Sequence, residues 1–374
     1  MDLNMDRRKF LSQLAKGGGG AAFLGLGGAG LLAACGSSSS KTVSTPTTAA
    51  SGGSVSTTPA STGTSTKSLG SANLQLDWIE DIEFAGSYIA KSNGYYTNAG
   101  VDVGLLAGGP STSVEPIVVA GRALVGISGP DLTSAAINSG AKLTMIGAQM
   151  QKAPQAIMSL ASKPINTPED MIGKKIGVQA GNLVTFKAFL QTNNISASKI
   201  TIVPVQFDPS PLASGTVDGW YSFITNEPFL LAAKGVKTKT FLLYDYGYRL
   251  YSGTYLCRTS SLSDAKERAQ LVALMKGEIQ GWEKAFADPA LASKLTVDVY
   301  GKANGLDIPT QTKELAAYKA IWETSVTAAH GLLWMSPTDV AECVKTLGVG
   351  GIKSKTSYFT NEILQEVYQG KATV

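Results

Sequence analysis

The sequence predicts a two-lobed α/β fold with the second lobe inserted in the first. Three observations predict it. Between residues 70 and 148, short apolar stretches alternate with helical ones, a β-α-β-α-β rhythm that implies parallel strands and right-handed crossovers. A polar connector at 149–154 ends that series, and a new α/β series begins at Lys175-Ile176-Gly177-Val178. After a further strand at 253–258 the chain becomes mainly helical, as if returning to complete the first lobe. The expected parts are residues 70–152 (first lobe), 153–252 (second lobe) and 253–374 (first lobe completed).

Each element has a local reason. Leu74 and Leu76 alternate with polar neighbours, as a strand does. Residues 78–83 break every period and so form a loop at that strand's carboxyl end, the rim where open α/β sheets bind ligands. A helix carrying Phe84, Ile89 and Tyr95 follows and stops near Gly100. Strand 101–106 leads to Gly108-Gly109-Pro110-Ser111, which opens the helix of 113–121. Strand 123–127 ends in Ser128-Gly129-Pro130-Asp131, with Pro130 suited to a first helical turn. The second lobe alternates strands at 156–159, 175–178, 200–204, 217–221 and 240–244 with helices at 183–191, 209–213 and from 226 to Gly235. In 264–287, Leu271, Met275, Ile279, Trp282 and Phe286 mark one buried helical face, with a capping box expected from Asp264 to Glu267. Further helices are expected at 314–329, 337–347 and 358–369.

Composition excludes several functions. The 374 residues suffice for two compact lobes. Net charge is +4, and the first 34 residues carry four basic and two acidic side chains, so the rest is +2. No basic run tracks phosphates, so no nucleic-acid partner is expected. The three cysteines, Cys35, Cys257 and Cys343, have no metal-ligand spacing, and His330 is the one histidine. No metal, cofactor or catalytic residue is therefore expected.

Asp6-Arg7-Arg8-Lys9-Phe10-Leu11 resembles a twin-arginine export signal, and Leu32-Ala33-Ala34-Cys35 resembles a lipobox. Residues 1–34 are thus expected to be a signal peptide and Cys35 the lipidated residue. Residues 35–69 are rich in Ser, Thr, Gly, Ala and Pro, a composition that cannot offset the entropy of ordering. They should form a tether reaching ~30 Å. The expected location is the extracytoplasmic face of the cell membrane, held by the lipid.

The runs LDW, AGSYIAKSNGYYTNAGVDV with GGP, QFDPSPLASGTVDGWYSFITNEPF and DYGY resemble solute-binding proteins of ABC importers. The subgroup is related to sulfonate, nitrate and taurine binding proteins and to the fungal thiamine-pyrimidine synthase. The resemblance spans nearly all of the chain after about residue 73, and Asn226-Glu227-Pro228 is its most specific part. It implies the type II periplasmic binding protein fold. It also implies a small ligand, a thiamine pyrimidine precursor such as formylaminopyrimidine or else riboflavin, and an ABC permease with its cytoplasmic ATPase as partner. A monomer is expected. The synthase needs an active-site histidine and a cysteine-rich iron-binding segment, and neither is present, so no enzyme activity is expected. A sensory or adhesion lipoprotein could use the same clamp.

The expected ligand-binding residues are Trp78, Asp81, Glu83, Gly109, Ser128, Trp220, Tyr221, Asn226, Glu227, Tyr246 and Tyr248. Aromatic rings stack on flat heterocycles. Carboxylates accept from ring N–H and exocyclic amines, whereas a sulfonate or nitrate wants Arg, Lys and helix N-termini; only Arg249 stands near a rim. Each residue has a structural alternative. Trp78 is a rim contact or core. Trp220 and Tyr221 are adjacent in a strand, so one faces the cleft and the other is core. One acid among Glu80, Asp81 and Glu83 is expected in the cleft. Asn226 is a contact or an N-cap, and Glu227 a contact or a partner of the helix dipole. Gly108, Gly109 and Ser111 offer backbone donors or only a tight turn. Tyr246 and Tyr248 share a face if extended, as a lid or as hinge packing.

Overall fold

The computed structural model describes residues 68–374, apart from 110, 111 and 207. The expected signal peptide, Cys35, Ser111 and the tether up to residue 67 lie outside the described residues. Lobe one is built on β1 (Gly70–Gln75), β2 (Val101–Leu106), β3 (Val125–Ser128) and β4 (Leu143–Met150), and lobe two on β5 (Gln155–Leu160), β6 (Lys175–Gln179), β7 (Thr201–Val205), β8 (Gly219–Phe223) and β9 (Thr238–Leu242). The chain then returns to lobe one as β10 (Ser252–Arg258). The two five-stranded sheets have the orders β2-β1-β3-β10-β4 and β7-β6-β8-β5-β9. β1 runs parallel to β2 and β3, whereas β10 is antiparallel to β3 and β4. Lobe two repeats the plan: β6 is parallel to β7 and β8, and β5 is antiparallel to β8 and β9.

The helices are α1 (Ala85–Ser92), α2 (Tyr95–Asn98), α3 (Val114–Val119), α4 (Pro130–Asn138), α5 (Leu183–Thr192), α6 (Ser210–Ala213), α7 (Glu227–Ala233), α8 (Ala265–Ala287), α9 (Pro289–Leu295), α10 (Ile308–Trp322), α11 (Ser325–His330), α12 (Pro337–Val349) and α13 (Glu362–Tyr368). Three differ from the sequence reading. The helix expected to run to Gly100 is broken at Gly94, whose φ of +71° no helix interior accepts, giving α1 and α2. The helix expected at 314–329 starts earlier, capped by the Asp307 carboxylate on Thr310 N–H, and is split by a reciprocal Thr324–Thr327 cap. The last helix starts later than 358, because Phe359 bridges to Met145.

The 23-residue α8 organises lobe one. Leu271, Met275, Ile279 and Trp282 are fully buried, and Phe286 nearly so. Asp264 caps it by accepting from Lys266 and Glu267 N–H. The expected return bond from Glu267 is not made; its carboxylate takes Arg258 Nη2 (2.6 Å) and Ser261 Oγ (2.5 Å). Inside the helix, Glu278 accepts hydroxyls from Ser87 (3.0 Å), Tyr255 (2.5 Å) and Tyr96, which satisfies an otherwise costly buried carboxyl group.

α8 lies so close to α1 that a Cβ on Gly281 would stand 2.0 Å from the Gly86 carbonyl oxygen. Gly281→Ala should therefore overpack this contact and cost ~1–3 kcal/mol, with a lower thermal midpoint, whereas Gly305→Ala, strained only in its own turn, leaves the helix contact intact. Thermal unfolding followed by circular dichroism checks this, and an unchanged midpoint in Gly281→Ala would refute the close contact.

Candidate functional site

The site begins where β1 and β2 end. Gln75 is buried, and its side-chain amide donates to the carbonyls of Leu76 (2.8 Å), Leu106 (3.1 Å) and Ala107 (3.1 Å). Gly108 N–H donates to Trp78 carbonyl (3.0 Å). A Cβ on Gly108 would sit 2.4 Å from Leu76 carbonyl oxygen, so only glycine allows this approach. Gly109, by contrast, has open space where a Cβ would go. These bonds fix the loop that carries Asp77 and the 38%-exposed Trp78.

A 3-10 turn, Ile82–Phe84, follows. The Asp81 carboxylate caps it by accepting from Glu83 N–H (2.9 Å). Helix α10 backs the turn: Gln311 Oε1 accepts from Ile82 N–H (2.9 Å), Gln311 Nε2 donates to Glu314 (2.7 Å), and Tyr318 Oη donates to Glu83 (3.3 Å). Asp77, Asp81, Glu83 and Glu314 thus gather around the turn that follows β1. Burial pushes Asp77 and Asp81 up to about 7 and Glu314 to about 8. Glu83 rises well above the usual carboxylate range, first by burial and then by repulsion from Asp77 and Asp81. Among the described residues no Lys, Arg or His forms an ion pair with any of these four. Asp77 Oδ1 is buried without a hydrogen-bond partner.

The middle of the rim comes from β3 and α4. Ser128 Oγ donates to Glu115 (2.6 Å), which also receives Thr133 Oγ1 (3.1 Å), and the Ser128 carbonyl accepts Thr254 Oγ1 (2.8 Å). The expected ligand contact Ser128 is thus a buried organiser of the rim. Asp131, in the first turn of α4, is also raised by burial.

In lobe two the adjacent aromatics separate as the strand geometry requires. Trp220 is fully buried behind the sheet with Met158, Leu212, Val217 and Leu231, so it is core and not a cleft residue. Tyr221 lies on the other face, edge-on to Phe186 and Phe223 at 6.3 Å each. Its hydroxyl is buried and stands near Thr185, Tyr248, Asp131 and Glu227. Glu227 is buried and closes the β8–α7 turn by accepting Phe223 N–H (2.8 Å); burial lifts it to about 7. Asn226 is exposed, and its side chain makes no capping bond. Tyr246 and Tyr248 do not share a face, because Gly247 takes φ +85° after a 3-10 turn. Tyr246 donates to Asn166 carbonyl (2.9 Å) and packs on Phe241, within lobe two. Tyr248 is buried against Phe189 and faces the crevice.

Between the lobes lies a cavity of about 210 Å³, lined by Gly129, Asp131, Gln155, Thr185, Tyr248 and Tyr251 among others. Gln155 Oε1 and Tyr251 Oη are further buried polar atoms without partners. A cavity of ~150 Å³ holds benzene, so this volume suits a single substituted ring, while drug-sized ligands take ~300–1,000 Å³. The sequence reading missed Asp77, Glu115, Asp131, Gln155, Tyr251, Glu314 and Tyr318. Asp77 adjoins Trp78 in the same loop and was within reach of that argument; Tyr318 and Glu314 sit on a helix far along the chain with no local signal.

Two sheets of this order, joined by two crossings around a ligand-sized crevice, define a bilobal clamp of the periplasmic binding protein fold. The chain belongs to the NMT1/THI5 like family, whose model matches residues 81–292. It is 22% identical over 273 residues to the riboflavin-binding protein RibY of Chloroflexus aurantiacus, covering 69% of this chain and 75% of that one. It is 20% identical over 245 residues to the formylaminopyrimidine-binding protein of Halalkalibacterium halodurans, covering 64% and 73%. Among solved structures it is similar to a putative sulfonate ABC transporter's periplasmic sulfonate-binding protein SsuA from Methylobacillus flagellatus, with a TM-score of 0.58 at 14% identity over 81% of this chain and 95% of that one.

The raised carboxyl groups set a pH dependence. Folded, Asp77, Asp81 and Glu227 keep their protons to about pH 7; unfolded, they lose them near pH 4. Between those values the folded protein binds more protons, so stability falls as pH rises through this window. The ligand-free protein should melt at a higher temperature at pH 5.5 than at pH 8, and Asp77→Asn should narrow the gap. A midpoint that rises over this range contradicts the burial of these groups.

Proposed function

We propose that this chain is the extracytoplasmic solute-binding component of an ABC importer, lipid-anchored through Cys35, that captures a small heteroaromatic ligand of the vitamin type by closing two lobes on it. The observation that carries this reading is the crevice itself. It brings Asp131 and Tyr248 together with Gln155 and Tyr251, whose Oε1 and Oη are buried without partners, around a cavity of one-ring size. Such a wall accepts N–H groups and stacks on flat rings. Two curated relatives are described as binding nitrogen heterocycles, riboflavin and formylaminopyrimidine, and the cavity volume favours the pyrimidine.

The anion reading is supported by the sulfonate-binding structural relative. It ranks second because desolvated carboxyl groups repel a sulfonate. An enzyme like the pyrimidine synthase ranks third. His330 stacks on Trp334 at 5.1 Å, and burial pushes the Cys257 thiol up to about 12. Among the described residues no helix is long and apolar enough to cross a membrane.

Mass spectrometry of material extracted from the purified protein should find a pyrimidine, and calorimetric titration should show formylaminopyrimidine binding more tightly than taurine. Tyr221→Phe should weaken that binding about 2- to 10-fold, the worth of one neutral hydrogen bond, with the fold retained. Tight taurine binding without binding of either heterocycle defeats the proposal.

A further inference from the structure

The end of lobe two that points away from the crevice carries an unbalanced charge. Residues 68–374 hold 26 basic and 26 acidic side chains, so an excess on any one face comes from placement and not from composition. Among the described residues nine basic side chains form ion pairs. Lys163, Lys174, Lys175, Lys199, Lys237 and Lys239 are not among them, and all six are exposed. Backbone pairing gathers these six. Thr201 N–H donates to the Lys174 carbonyl (2.9 Å) and Gly173 N–H to the Lys199 carbonyl (2.8 Å), so the starts of β6 and β7 lie side by side. Asp218 N–H donates to the Lys175 carbonyl (2.8 Å), which adds the start of β8. Ala161 N–H donates to the Lys237 carbonyl (3.0 Å), Lys239 is in register with Ser159, and Lys163 N–H closes the turn after β5 on the Leu160 carbonyl (3.0 Å). Five strands ~4.8 Å apart thus present lysines along an edge of ~19 Å. Three acids share it. Asp218 accepts Lys175 N–H (2.9 Å), Asp170 accepts Asn166 and Thr167 N–H (2.9 and 3.1 Å), and Glu169 is exposed. Six lysines less three acids leave +3 on this edge. Ile172, two residues before Lys174, is 43% exposed in the same stretch.

We propose that this edge of lobe two is a docking face for a bilayer rich in anionic phospholipid, with the six lysines over the headgroup phosphates and Ile172 at the acyl boundary. Unpaired lysines crowded on one edge repel one another, and an anionic surface removes that repulsion. Basic side chains around a bare aliphatic one are the combination that binds a membrane surface without spanning it. Near such a surface each lysine strengthens binding about fivefold. The attraction fades as the screening length shrinks from ~10 Å at 0.1 M salt to ~3 Å at 1 M. The crevice lies at the opposite ends of the parallel strands, so the contact leaves it open to solute. The membrane setting rests on the lipid-anchored reading above; the charge and its placement do not.

The test is co-sedimentation of the full chain carrying Cys35→Ser, so that no lipid is attached, with two kinds of vesicle. One is phosphatidylcholine alone and the other contains about one-third phosphatidylglycerol. Binding to the anionic vesicles at ~0.1 M salt, its loss at ~1 M, and none to phosphatidylcholine is the expected result. Lys174→Glu with Lys175→Glu should weaken it at least twentyfold, and Ile172→Ser about 3- to 10-fold. Lys276→Glu with Lys313→Glu, the same charge change on two exposed and unpaired lysines of lobe one, should stay within about threefold of the parent. An equal loss in both double variants assigns the binding to net charge or to the N-terminal segment and overturns the proposal. So does equal binding to both vesicles, binding to neither, or tighter binding to soluble polyphosphate than to the anionic vesicles. Calorimetric titration of Lys174→Glu/Lys175→Glu with formylaminopyrimidine keeps the two readings apart. Ligand binding without vesicle binding in the parent overturns the docking face alone, and vesicle binding as described without any ligand binding supports the face while overturning the ligand class.

Discussion

Ala153 N–H donates to the Leu250 carbonyl (3.0 Å) where the chain crosses between lobes, and the rest of the molecule is arranged around that pair of crossings. β4 and β10 are neighbours in the first sheet, and β5 and β9 are neighbours in the second. The chain therefore leaves one sheet and enters the other through two adjacent connectors, near residues 151–154 and 247–251. Gln151 and Lys152 N–H both reach the Ile321 carbonyl, and Lys152 pairs with Asp245 (2.8 Å), so the connectors are anchored to α10 and to each other. A hinge of this kind needs only a few dihedral angles to change, and neither sheet loses a strand pairing when it moves. Gly247, at φ +85°, supplies one residue able to take such a change without a Cβ penalty.

That arrangement forces the carboxyl ends of the parallel strands in both lobes to face one crevice, and the crevice pays in stability for what it collects. Carboxyl groups taken from water without a counter-charge are destabilising when ionised, and the protein accommodates them by keeping them protonated and by single hydrogen bonds from Gln311, Tyr318 and the backbone. The contrast with Glu278 is instructive. It is as deeply buried, but receives three hydroxyl groups and lies inside lobe one, where no ligand comes. A carboxyl group fully satisfied by the protein is structural; Asp77, whose Oδ1 is buried without a partner, is not satisfied in that way.

The fold was largely legible because its signals are local and repeated. Alternation around Leu74, the Pro130 turn and the spacing of Leu271 to Phe286 each mark an element by its own period, and the order of elements then leaves few topologies. The breaks at Gly94 and Thr324 were not legible, since helix-like periods continue through them and only tertiary packing decides where the chain turns. The site was half legible. Strand alternation stated that Trp220 and Tyr221 must part, but which one faces the crevice depends on Gly177, whose missing Cβ (2.8 Å from the Trp220 ring) makes the room behind the sheet. Tyr246 and Tyr248 do not share a face, because a left-handed glycine replaced the extended chain that would have aligned them. Glu314 and Tyr318 reach the site from over 200 residues away, by contacts no local pattern encodes.

Tyr318 also shows why neither lobe holds the site alone. Its helix belongs to lobe one, and its hydroxyl donates to Glu83 there, yet Thr225 of lobe two stands within hydrogen-bond reach of the same oxygen. Separating the lobes exposes the Tyr318 oxygen and the acids behind it to water, which lowers the cost of ionising them. Bringing the lobes together removes that water and raises the cost again. Differential contact with the closed state is the only free energy a ligand can apply to shifting the two lobes.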